Sequence, residues 1–143
     1  MYDSAMPSTA HQWLVVWLSR RIARDGYSLV GVDAGRFAQL LTPPPPPGIS
    51  IGPVRPDVVG VHSRERFLAL GEAKSAFDLD TSHTRVQLAA MLCMRDIQGR
   101  RARVYLAFPR AALEAAARTV VSLGLAPAAR VILVPIADGA LLA

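Results

Sequence analysis

The stretch RPDVVGVHSRERFLALGEAKS, residues 55–75, decides how this chain is read. Two apolar runs, 56–62 and 66–74, are separated by Ser63, Arg64 and Glu65, the length of a hairpin turn. Side chains alternate across a strand, so Glu72 and Lys74 share one face and Ala73 takes the other. With the hairpin in register, Asp57 lies on the neighbouring strand and projects toward the same place. Two carboxylates and one ammonium are therefore expected to converge at an edge or fork of a sheet. A charged pair inside so apolar a run calls for a reason.

Upstream, Ser8 or Thr9 caps a helix that runs to about Asp25 and stops at Gly26. Trp13, Leu14, Trp17, Leu18 and Ile22 recur at spacings of three and four, which buries one side. Residues 27–32 read as a strand. Residues 34–53 form a proline-rich connection, and its five prolines at 43–47 make a stiff rod of roughly 16 Å at ~3.1 Å per residue. Downstream, a helix capped by Asp80, Thr81 or Ser82 runs from 81 to about 97 and is apolar almost all round, the pattern of a buried helix. A strand at 103–108, a helix from Pro109 to about Leu123 and a last strand at 131–136 follow. The order α-β-β-β-α-β-α-β, a meander followed by helical crossovers, predicts an α/β fold with a mixed sheet flanked by helices.

Composition sets the outer limits. At 143 residues, 52% hydrophobic and 19% charged, the chain reads as one domain over 1–143 and is too apolar for a disordered one. No apolar run approaches the ~18 residues of a membrane helix, and the N-terminus lacks a secretory pattern, so a cytoplasmic protein without a membrane partner is expected. The single cysteine, Cys93, excludes an internal disulfide and any multi-cysteine zinc site. Three dispersed histidines give a zinc site little support. The net charge is +5, which suits a polyanionic partner, nucleic acid above all. Fifteen of the sixteen cations are arginine, and Lys74 is the only lysine.

These residue types point to one chemistry. Hard Mg²⁺, for which Mn²⁺ can substitute, takes carboxylate oxygens plus waters and keeps an incomplete protein shell open to phosphate. Asp57 and Glu72 can supply such a shell, with the Ala73 carbonyl as a third ligand. A lysine beside them can position or deprotonate a water, or stabilise developing negative charge. Guanidinium, always protonated and planar, cannot replace it as a base.

The PD at 56–57 and the EAK at 72–74, on consecutive strands, resemble the PD-(D/E)xK nuclease superfamily, whose members share the restriction-endonuclease-like core. The resemblance covers residues 27–108 by motif and element order, and the first helix fits as well. It implies an Mg²⁺-dependent nuclease acting on DNA, an endonuclease before an exonuclease. Asp57 and Glu72 then stand as metal ligands and Lys74 as the catalytic lysine. Gln87, followed by Leu88, resembles the glutamine helix motif of the exonuclease-like branch, although Met91 stands where a tyrosine is usual. Many members carry a glutamate on the first helix; here that region holds His11 and Gln12.

Arg95, Arg100, Arg101 and Arg103 surround a turn at Gly99 and are candidates for gripping phosphates, against the alternative of a solvated basic turn. Cutting both strands of a duplex favours a homodimer. A different class of function is a catalytically silent nuclease-fold subunit that binds nucleic acid or a partner protein in a larger assembly. A generic α/β binding protein is the third reading, in which the GEAK match is accidental.

Overall fold

The structure, a computed structural model, describes residues 8–141, so the N-terminal pattern at 1–7 lies outside the described residues. Helix α1 spans Thr9–Arg24 and strand β1 Tyr27–Val32. Ser8 caps α1 by accepting the His11 amide, and Gly26, at φ 102°, reverses the chain after it. Strands β2 (Val58–His62) and β3 (Leu68–Ala73) form the hairpin. Helices α2 (Ala76–Leu79) and α3 (Ser82–Leu92), strand β4 (Arg103–Pro109), helices α4 (Leu113–Val121) and α5 (Leu125–Ala128), and strand β5 (Val131–Ile136) complete the order.

The five strands form one sheet in the order β1-β2-β3-β4-β5. The first two pairings are antiparallel and the last two parallel, giving a mixed α/β sheet. Helix α1 covers one face, where Leu14, Val15, Leu18 and Ile22 meet Val58, Ala69, Ala73 and Tyr105. Helices α3 and α4 cover the other, with Leu88, Met91, Leu92, Ala116 and Val120 against Leu70, Val104, Leu106 and Phe108. Strand β3 lies between two neighbours and two helical layers and is buried along its whole length. That is why its sequence runs apolar on both faces.

Gly71 sets how closely α1 approaches this strand. A Cβ there would stand 2.9 Å from Leu18 Cδ2 and 3.0 Å from Ile22 Cδ1. The glycine thus lets the helix lie directly on β3 beside the Glu72–Lys74 segment.

Three sequence expectations change. The helix expected over 81–97 ends at Leu92, because the Asp96 carboxylate collects the amides of Gln98 and Arg100 into a turn closed by Gly99 at φ 81°. It is also a surface helix: Val86 is 68% exposed and Cys93 is exposed. Its cap is Thr81, whose hydroxyl accepts the Thr84 amide; Asp80 instead pairs with Arg85 and Arg118. The connection over 34–53 is more structured than a plain linker. It contains a 3-10 helix, Gly35–Leu40, with Phe37 edge-on to Trp13 at 5.2 Å. Its proline run docks on β1, where the Val32 amide donates to the Pro46 carbonyl.

Candidate functional site

The hairpin register pairs Val58 with Gly71, so Asp57 stands opposite Glu72 just beyond the end of the ladder. Asp57 Oδ2 accepts the Ala73 amide at 2.9 Å, which ties the carboxylate to the end of β3. Lys74 follows β3, held by its own amide donating to the Ala107 carbonyl of β4. Its Nζ donates to Gln87 Oε1 of α3 at 2.5 Å and lies 3.5 Å from Glu72 Oε2. Asp57, Glu72, Ala73, Lys74 and Gln87 therefore come together where the ends of β2 and β3 meet α3.

The side chains of Glu72 and Lys74 are only 9% and 12% exposed, so their charges sit in a low-dielectric fork. Burial, reinforced by the facing Asp57 carboxylate, pushes Glu72 up to about 7 against the pull of Lys74. Lys74 has three N–H donors. One is committed to Gln87 and one points to Glu72 over a longer distance, leaving one for a substrate.

A residue that sequence reasoning placed only in the neighbourhood belongs to this cluster. His11, in the first turn of α1, sets Nε2 3.4 Å from Asp57 Oδ2. Its pKa is raised by that hydrogen bond and by the Asp57 charge, with burial opposing, while its Nδ1 is buried without a partner. The signal available was the Ser8 cap, which fixes His11 in the first turn above the strand ends.

The donor set fits a hard divalent ion of low protein coordination. The Asp57 carboxylate faces the buried Glu72 carboxylate, and Lys74 lies 3.5 Å from Glu72; burial first and the Asp57 charge second raise Glu72, and a dication held by both carboxylates would favour its ionised form. Among the described residues, no group of three or more His, Cys, Asp or Glu side chains is arranged to hold a metal. Asp57 and Glu72 offer two carboxylates, a partial shell of the kind a hard ion that keeps several waters could share.

The arginine turn does not join the cluster. Arg103 pairs with Ala69, at the end of the β3–β4 ladder opposite Ala73 and Ala107. Over four residues of strand that is roughly 13 Å away at ~3.3 Å per residue. Arg95 donates to the Gly99 carbonyl, Arg100 to the Asp96 carboxylate and the Glu65 carbonyl. Arg100 and Arg103 both lie over the Phe67 ring, at 4.1 and 4.2 Å. Arg101 is exposed. A cavity of about 820 Å³ is also remote, between Arg20, Arg24 and Pro43–Pro46 at the far end of α1. That cavity and the cluster of titratable side chains at the fork thus lie in different places.

Among the described residues no helix is long and apolar enough to cross a membrane. No family model, no curated protein and no solved structure matches this chain.

Proposed function

We propose that this protein is a Mg²⁺-dependent deoxyribonuclease with a restriction-endonuclease-like core, hydrolysing DNA phosphodiester bonds at the fork of β2 and β3. The observation that carries this reading is the meeting of Asp57, Glu72 and Lys74 in one nearly buried cluster, with Gln87 on the lysine. Asp57 and Glu72 would hold the metal, which Mn²⁺ can replace. When bound, the ion supplies Lewis acidity toward a phosphate oxygen and neutralises charge in the transition state.

The chain's own groups do the rest. Gln87 fixes Lys74 Nζ by accepting one of its hydrogens, which orients the remaining donor toward an attacking water or a phosphate oxygen. The Ala73 amide and His11 hold Asp57 Oδ2 from two sides, so that the carboxylate enters the reaction already positioned. The three-layer fold, with α1 and α3 on opposite faces of β3, supports this preorganisation.

A silent nuclease-fold subunit is favoured by one specific observation, the absence of a third acidic side chain from the metal-binding group among the described residues. Incubation of plasmid and oligonucleotide DNA with Mg²⁺, Mn²⁺ or EDTA separates the two. Cleavage in both metals, lost in EDTA and in Asp57→Asn, is expected; no cleavage in any metal assigns the silent role.

A further inference from the structure

Beside the catalytic fork runs a small cleft of about 190 Å³. Pro53, Val54, Val86 and Met91 form its apolar walls, and Glu72 and Gln87 reach it from the fork. We propose that this cleft seats one unpaired base next to the scissile phosphate, so that the substrate is single-stranded or locally unpaired DNA and not closed duplex. The proposal rests on the nuclease reading for the path of the strand and adds to it the form of the substrate.

Size, polarity and charge agree on that occupant. The cleft is well below the ~300–1,000 Å³ that encloses a drug-sized ligand, so it suits a single planar ring. Its outer wall, Val86, is 68% exposed, and Phe77 of α2, three residues beyond Lys74, is 93% exposed. Val86 thus offers apolar surface at the mouth of the cleft, and Phe77 an exposed ring on the element that precedes α3. A closed duplex offers phosphates and sugars at its surface while its base faces are covered by stacking. An unpaired strand offers a π-face with every base, to which apolar and aromatic side chains bind without regard to sequence.

The rim carries the matching charge. Arg55, two residues before Asp57, lines the cleft with its side chain 54% exposed, and its Nε lies as far as 3.8 Å from the Asp33 carboxylate. It is placed to meet a neighbouring phosphate while the base enters the cleft. The apolar anchor of a protein partner is the competing occupant. A half-exposed arginine on the rim, on a chain of net charge +5, favours the polyanion.

The test is fluorescence anisotropy with a short labelled oligonucleotide, single-stranded or annealed as a blunt duplex, with Ca²⁺ replacing Mg²⁺. The proteins are the parent, Phe77→Ala and Val86→Ser, each checked by thermal melting; both substitutions fall at exposed positions. The parent is expected to bind the single strand at least ~10-fold more tightly than the duplex. Each variant is expected to lose roughly 5-fold or more of single-strand affinity, the weight of one stacked base. The slope of log Kd against log salt should stay unchanged, because no phosphate contact is removed.

Equal or tighter binding of duplex, or variants that bind the single strand as the parent does, overturns the proposal. A parent that binds single strands in this way but cuts nothing with Mg²⁺ or Mn²⁺ upholds the base cleft and removes the nuclease activity. A parent that cuts closed duplex as fast as single strand, with both variants unchanged, upholds the nuclease and overturns the cleft. Binding of neither form overturns both and leaves the cleft to a protein.

Discussion

Replacing Glu72 by Gln should stabilise the metal-free protein, increasingly so as the solution becomes alkaline. The folded state raises this carboxyl from 4.5 to about 7, through burial first and Asp57 second. Between those values the folded chain holds a proton that the unfolded chain has released. Stability therefore falls as pH rises from about 4.5 through about 7 and levels off above. At ~1.4 kcal/mol for each tenfold, the full cost of ionising Glu72 is about 3 kcal/mol. Glutamine keeps the shape of the neutral form and has nothing to ionise. Urea denaturation in EDTA should give nearly equal stabilities for parent and variant at about pH 4. The variant should lead by about 3 kcal/mol at about pH 8, a rise of roughly 6–12 °C in Tm at ~2–4 °C per kcal/mol. Adding Mn²⁺ at about pH 8 should recover stability in the parent and little in the variant. A pH-independent difference, or one that shrinks toward alkaline pH, would refute the placement of Glu72 as a strained carboxylate.

Further expectations concern the same fork. Lys74→Arg should fold normally and bind DNA but cut at least ~10²-fold more slowly in single-turnover assays, because the larger planar guanidinium crowds Gln87 and Glu72 and cannot present its donor where the ammonium does; a parental rate would reduce Lys74 to an electrostatic contact. Asp57→Asn keeps an oxygen for the Ala73 amide and should retain the fold while losing Mn²⁺ affinity by calorimetry; unchanged affinity removes Asp57 from the site. Gly71→Val should destabilise the protein by ~1–3 kcal/mol through overpacking against Leu18 and Ile22, read as a lower urea midpoint; a neutral result would mean that α1 yields freely.

The elements that were easiest to read are those whose local signals and tertiary roles coincide. Strands β1 and β5 fall on the apolar runs at 27–32 and 131–136, and α1 lies between its serine cap and its glycine stop. The meeting of Asp57 with Glu72 and Lys74 was legible because alternation along β3 fixes which residues share a face, and the short hairpin leaves Asp57 one place to go. The end of α3 was not legible. Apolar periodicity continues through Met94 and Ile97, but the Asp96 carboxylate outcompetes the helix by binding two amides of the following turn. The contact of His11 with Asp57 depends on how closely α1 rests on the sheet, and so on Gly71, sixty residues away. Pairwise packing of that kind leaves no local trace. Around the arginine turn, the stacking of Arg100 and Arg103 on Phe67 and the reach of Arg100 to the Glu65 carbonyl were not legible either, because those partners come from the distant hairpin.

Proline at both borders of the sheet has a consequence for assembly. On one side the run at 43–47 meets the end of β1 at Val32, offering carbonyls but no amide hydrogens, and β1 itself is bulged between Leu29 and Gly31. On the other, β5 carries Pro135 in its ladder with Phe108. Neither border can present the regular row of donors and acceptors that a further strand would copy. The sheet is finished at five strands, protected against edge-to-edge accretion of one molecule onto the next. A second copy of the chain would accordingly dock through helices and loops and not by extending the sheet.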